Sequence, residues 1–554
     1  MPVRPYDKPP FMRKPTPLGT QLSRRTAIGA LASTTLLPIL VGCTKKSQPQ
    51  NLAQLNRGNG PELDTLDPHK AATSEAHNVL RDLYECLARL DHEGNPVPAA
   101  AAAWKVSEDG LAYDVSLRPG LQWSNGDPLL AEHFVASFRR LVDPATAAPY
   151  AQLIDMVEGT TEILEGKRAP DTLGVTAISP TQLRLKLIRK APYLPSILAN
   201  VATAPLHPNA RTSSNDGSGT GALVSNGAFT LSENSHGSFV SLVRNPRYRA
   251  NALNKIDVVK FLHLADENAE LRAYRANEIH ITATVPRGQY DWIRENLLPE
   301  LRVAPQLNTY YFGFNLDRAP FANSPGVRRA LSLVIDRERL AEKVLRVGEL
   351  PAYGWIPPGI AGYTSQRFDY ADQSYTTRVA EAQSLLRAAG YSTARPLRFS
   401  LSYNAGEVHN KVAVAVASMW KEALGLEVAL EAVEFRSLLD RIYRRDVDMF
   451  RLSWRGDYSD PYTFLQCLQS SAASNSPGFR SPQFDQLLTE AIEAKDEPTR
   501  RQRFERADEF LLSQHPLIPL YFYVNKHLVK PSVQGWYNHP LDVIYSQDLA
   551  LSAG

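Results

Sequence analysis

Cysteine is nearly missing from this sequence, with three in 554 residues. Two of them, Cys86 and Cys467, stand near opposite ends of the chain, which excludes a disulfide framework and any CxxC metal pair. The fold must therefore rest on its apolar core. Beyond Gly42 no apolar run reaches the roughly 18 residues that span a bilayer, so nothing after that point crosses a membrane as a helix. Net charge is only +3 and no basic cluster follows the N-terminal segment, so nucleic acid is not a partner. Internal repeats and low-complexity linkers are absent. So are GxSxG, HExxH, GxxxxGK(S/T) and GxGxxG, the spacings that carry nucleophilic, metal and phosphate chemistry. His69 has no second His or Cys at metal spacing, and Glu278, Asp446 and Asp448 read as solvated charge. Catalytic groups can converge from distant positions, but the residues offer no such constellation. The expectation is a non-enzyme without metal or cofactor.

What is present begins at the N-terminus. LSRRTAIGALASTTLLPILVGCTKK has paired arginines, Arg24 and Arg25, then a short apolar run broken by Pro38. That is the pattern of a secretory signal, over residues 1–42, and the arginine pair suits Sec or Tat export alike. LVGC matches a lipobox, so Cys43 is the expected site of lipidation and first residue of the mature chain. Met12 is an alternative start.

At 554 residues the chain is too long for one core, and an apolar content of 43% is that of a globular protein. AYDVSLR and TQLRLKL alternate like half-buried strands, and AFTLSEN with FVSLVRNPRYR forms a hairpin. GVRRALSLVIDRERLAEKV reads as one long amphipathic helix. VAEAQSLLRAAGY is a helix closed by Gly390, TYYFGFNL an aromatic strand and LIPLYFYVNKHLVKP a C-terminal strand. Helices alternate with strands, which predicts an α/β protein with parallel pairing. One stretch resists that reading. FRLSWRGDYSDPYTF sets Arg451, Arg455 and Asp457 on and after a run that otherwise looks like buried sheet. From the residues alone Asp457 is a turn residue, Arg451 half of a structural ion pair and His409 the exposed start of a helix.

Several blocks, however, carry a resemblance. LNRGNGPELDTLDPH, AAAWKVSEDGLAYDVSLRPGLQWSNGDPLL, VSNGAFTLSE with VRNPRYR, FNLDRAPFANSPGVRRALSLVIDRERL and FRLSWRGDYSDPYTFL resemble, in order, the extracytoplasmic oligopeptide-binding proteins of peptide ABC importers, the family 5 solute-binding proteins. The likeness is greatest to the Gram-negative oligopeptide and murein-peptide receptors and runs from about residue 52 to 548. It implies the three-lobed type II periplasmic-binding-protein fold, with mixed sheets and a hinge between lobes I and III. Lobe I would comprise 43–84, 209–307 and 525–554, lobe II 85–208 and lobe III 308–524. It implies an exported, monomeric receptor for oligopeptides on the periplasmic side of a bacterial envelope, held to the membrane by the lipid on Cys43 alone, with ABC permease subunits as partners.

The same resemblance implies site residues. Asp457 corresponds to the group that pairs with a peptide's α-ammonium, and Arg451 and His409 to positions that reach the terminal carboxylate. Ser453 and Ser74 fall where main-chain groups meet the peptide, and Trp454, Tyr523, Tyr150, Phe435 and Tyr311 at pocket walls. A receptor that reads peptide ends needs fixed charges for both, because both ends lose water on closure. The chain also departs from its relatives. Ala72 and Leu345 stand where relatives can carry Glu and Lys, with Arg346 beside the latter. Arg455 and Asn308 stand where some have cysteines. A non-peptide solute, or an exported hydrolase of peptides or murein fragments, is the alternative reading.

Overall fold

The computed structural model describes residues 52–211, 223–392 and 394–552. The expected signal segment and Cys43 lie outside them. Three larger sheets organise the described chain. The strand Gln54–Gly58 pairs in parallel with Val258–Leu262, which continues through Phe239–Arg244 to Phe229–Ser235. The last two form the hairpin read from the sequence. A second sheet, Ala101–Val106, Ala112–Leu117, Gln182–Lys186 and Val175–Ser179, is antiparallel throughout. Its strands alternate in burial, as Gln182–Lys186 shows with Leu183 and Leu185 fully buried, because one face rests on the apolar side of the helix Ala131–Val142.

The third sheet has six strands, in the order Leu350–Pro351, Leu517–Leu528, Leu301–Phe314, Met449–Arg455, Ser400–Asn404 and Ala429–Val433. Only Ser400–Asn404 pairs in parallel, with its two neighbours. The sheets are thus mixed, with antiparallel pairs in the majority, and the expectation of parallel pairing is corrected. Hairpins and long returns place sequential strands side by side, and helix–strand alternation does not distinguish this from βαβ crossovers. Aromatic side chains fill the sheet's core, with Tyr310, Trp355, Trp420 and Tyr521 almost completely buried. Gly313 is required there, since a Cβ at that position would lie 2.3 Å from the Phe450 ring.

The expected long helix from Gly326 is interrupted. It runs as Pro325–Leu333, stops, and restarts at Arg337 with the Asp336 side chain accepting from the Arg339 N–H at 2.9 Å. The break lets Arg337, wholly buried, turn inward and donate to the Pro519 carbonyl at 2.9 Å.

Two strands do more than complete the sheet. Leu301–Phe314 and Leu517–Leu528 pair along most of their length, with register shifts between Pro305 and Thr309 and between Tyr310 and Tyr311. On one side of the first shift they belong to the six-stranded sheet. On the other, Thr282 N–H bonds the Leu528 carbonyl, and Ile281 bridges both Arg57 and Val529, tying the ribbon to the first sheet. The boundary expected at 307/308 falls between the paired residues Pro305 and Thr309, and that at 524/525 just after Val524, the partner of Pro305.

Candidate functional site

A cavity of about 790 Å³ lies where the first sheet, the ribbon and the Gly456–Asp457 turn meet. Its lining is rich in charge and includes Arg57, Glu75, Arg81, Arg455, Asp457 and Lys526. The helix Ser74–Leu83, capped by Thr73, supplies one wall. Ser74, His77, Asn78 and Arg81 follow helical spacing and line the cavity, while Ala76, Val79, Leu80 and Leu83 are buried in the core.

The charged turn GDYSDP is pinned from several sides. Gly456 N–H donates to the Leu307 carbonyl, and Asp457 N–H to Thr463 Oγ1 at 3.1 Å. Tyr458 stacks on Tyr193 at 5.0 Å. Asp460 takes both guanidinium nitrogens of Arg500, at 2.7 and 2.8 Å. The two aspartates therefore do different work. Asp460 is neutralised by a buried partner, whereas no hydrogen bond or ion pair among the described residues takes the Asp457 carboxylate oxygens. Asp457 is open to the cavity and to a smaller one of about 240 Å³ beside Tyr150 and Tyr193. The protein around it nevertheless excludes enough water to push its carboxyl above the ordinary range, an effect that Arg455 partly offsets.

Arg451 presents the opposite case. It is 5% exposed and makes no ion pair among the described residues. Its guanidinium donates to Asn404 Oδ1 and to the Tyr523 hydroxyl, both at 2.9 Å, lies 4.2 Å over the Tyr310 ring, and leaves Nε without a partner. The structural ion pair read from the residues alone is not there. His409 stands beside it, 5.8 Å from Tyr310 between ring centres, and is the third residue of the helix Glu407–Leu424, half-buried rather than at an exposed start. Burial, followed by the charges of Arg451 and Arg287, pushes its imidazole down to about 4. This corner is a cation held by neutral dipoles.

Asp457, Ser74 and Tyr150 thus share the large cavity, while Arg451, His409 and Tyr523 form a separate cluster outside its lining. Ser453 is exposed on the strand between them, paired with Tyr310. Trp454 lies on the alternate face, half-buried, with its indole N–H donating to the Thr463 carbonyl at 2.8 Å. Phe435 is 49% exposed at the start of the helix Phe435–Tyr443. Tyr311, expected at a wall, is in the core, edge-on to Trp355 at 5.1 Å. Its neighbour Tyr310 faces the Arg451 cluster instead, because successive strand residues alternate faces. Asn308 and Arg455 are opposite each other in the register, so the two positions where relatives have cysteines face each other here. Arg346 bonds Asp291, and Leu345 is buried. His69 is packed between Arg140 and the Ala204 carbonyl. The cavity-lining roles of His77, Asn78 and Arg81 were missed, although their 3–4 spacing on a helix opened by Thr73 was a usable signal.

Mixed α/β sheets around a polar cleft, joined by a two-strand ribbon, are the architecture of the type II periplasmic-binding-protein fold. The comparisons give the family. Residues 95–476 match the bacterial extracellular solute-binding proteins, family 5. The chain is 36% identical to the periplasmic murein peptide-binding protein MppA of Escherichia coli (strain K12), over 88% of this chain and 91% of that one. It is equally 36% identical to the periplasmic oligopeptide-binding protein OppA of the same organism, over 89% and 92%. A probable deoxycholate-binding periplasmic protein, YgiS, also of that organism, is 36% identical over 91% and 94%. The structure of MppA in its unliganded open form matches with a TM-score of 0.83 and 35% identity, over 90% of this chain and 98% of that one. Haemophilus influenzae OppA in complex with RPPGFSPFR matches at 0.72 and 33% identity, over 91% and 100%. This chain belongs to the family 5 bacterial extracellular solute-binding proteins.

Proposed function

We propose that the protein captures oligopeptides outside the cytoplasmic membrane and delivers them to an ABC importer, without chemical turnover. One observation carries this reading. Asp457 and Arg451 are opposite charges on one strand and turn, and each lacks an ionic partner within the described chain. An extended peptide supplies both missing partners, its α-ammonium to Asp457 and its carboxylate to Arg451 and His409. Ser453, exposed on the strand between the two, offers main-chain groups, as in strand addition. Ser74, Tyr150, Tyr523, Trp454 and Phe435 complete the proposed surroundings.

In this reading lobes I (43–84, 209–307, 525–554) and III (308–524) close about the ribbon, with lobe II (85–208) beside them. The present conformation, more similar to the open MppA structure than to the peptide-bound OppA structure, is the receptive one. Export by the N-terminal signal, lipidation of Cys43, a monomeric receptor and docking on permease subunits complete the proposal. Mass spectrometry of small molecules released from the purified protein tests it, with free-amine peptides expected. The name of YgiS supports a second reading, an acidic non-peptide solute. A steroid carboxylate would use Arg451 but leave Asp457 without a partner, and its recovery in place of peptides would overturn the first reading.

A further inference from the structure

We propose that Arg81 and Arg455, with His77 behind them, form a subsite for an acidic side chain on one of the first two residues of a bound peptide. This rests on Asp457 holding the α-ammonium. Both arginines line the large cavity, and neither makes an ion pair among the described residues. Arg81 donates to Asn78 Oδ1 at 3.0 Å, and Arg455 to the Leu541 carbonyl at 3.2 Å, so both heads are positioned by neutral oxygens. His77, 9% exposed, also lines the cavity, and its Nε2 has no hydrogen-bond partner. Its ring lies 5.4 Å from Tyr150, and Tyr150 is within electrostatic reach of Asp457, Arg455 and Arg81 together. His77, Arg81, Arg455 and Asp457 therefore all lie near one tyrosine.

The acids nearby are mostly engaged. Asp542 is held by His527 at 2.9 Å, Asp64 accepts from Ala72 N–H and the Thr73 hydroxyl, and Asp82 accepts from Ser546 N–H. Glu75 lines the cavity without an ion pair, one residue beyond Ser74. Once an α-ammonium has neutralised Asp457, Arg81 and Arg455 face the closing cavity with Asp542, already bonded to His527, as a counter-charge shared among them. Uncompensated charge in such a site is costly. A side-chain carboxylate removes the imbalance and can take guanidinium donors two at a time. Burial already lowers the proton affinity of Arg81 below its ordinary value.

The test is calorimetry with Glu-Ala-Ala, Ala-Glu-Ala, Gln-Ala-Ala, Ala-Gln-Ala and Ala-Ala-Ala at fixed salt. In the wild type at least one glutamyl peptide binds about ten-fold or more tightly than its glutaminyl counterpart, the scale of one charge-assisted hydrogen bond. In Arg81→Gln/Arg455→Gln that ratio falls to near one. Arg455 is exposed, so Arg455→Gln alone, checked by its melting curve, lowers the ratio even if Arg81 variants fail to fold. Arg455→Lys keeps most of the preference. Equal affinities in the wild type, or a ratio that survives Arg455→Gln and the double substitution, overturn the subsite. Binding of none of the five peptides overturns the peptide-receptor reading itself, and the subsite with it.

Discussion

Asp457 and Arg451 are six residues apart, and among the described residues neither makes an ion pair. Two predictions at the residue scale use that fact. Binding of an ammonium requires the ionised Asp457, and burial raises its carboxyl. Affinity for free-amine peptides is therefore full at neutral pH and falls on acidification, beginning above the ordinary aspartate range near 4. Asp457→Asn flattens that profile, and a wild-type affinity unchanged down to pH 4 would contradict the assignment. Arg451 has no carboxylate to lose, so Arg451→Gln lowers the melting temperature little while weakening short peptides more than long ones. Asp460→Asn strips Arg500 of its buried counter-charge and costs roughly 3–5 kcal/mol of stability. Equal destabilisation by the two substitutions, in urea titrations, would mean that Arg451 is a structural group after all.

At the scale of elements, much was legible in the residues and some was not. The hairpin, the aromatic strand and the helix closed by Gly390 follow from local periodicity, and they are present. The interruption at Asp336 was not visible, because the burial of Arg337 that accompanies it depends in part on a distant carbonyl, Pro519, which accepts from that side chain. Parallel and antiparallel pairing were confused for a similar reason, since pairing partners are a long-range property. Asp457 stood out only through resemblance. What separates it from Asp460 is Arg500, forty residues further on. The helix Glu497–Gln514 holds another group set by burial. Asp508 accepts from the Tyr363 hydroxyl at 2.9 Å, and its carboxyl is pushed up to about 7. Its folded pKa lies above the unfolded one, so the site favours folding most below about pH 4 and progressively less as pH rises to 7. Asp508→Asn should raise the melting temperature at pH 8 and leave it unchanged at pH 4. No gain at pH 8 would show that the burial is relieved.

For the molecule as a whole, closure is expected about the ribbon of Leu301–Phe314 and Leu517–Leu528, whose pairing is irregular between Pro305 and Thr309 and again between Tyr310 and Tyr311. Saturating peptide should reduce the radius of gyration in small-angle scattering. It should also stabilise the protein by about 2.7 kcal/mol at a hundred times Kd. Cys43→Ser should shift the protein from the membrane to the soluble fraction, and unaltered fractionation would refute lipidation. The central claim is that Asp457 holds the α-ammonium, and a calorimetric cycle tests it most directly. Free-amine and N-acetylated forms of one tripeptide are titrated into the wild type and Asp457→Asn. Either change alone should cost roughly 2–5 kcal/mol, about 30- to 4,000-fold in Kd, and the two together little more than one, because both delete the same interaction. Full affinity of Asp457→Asn for the free-amine peptide, or losses that simply add, would contradict the account.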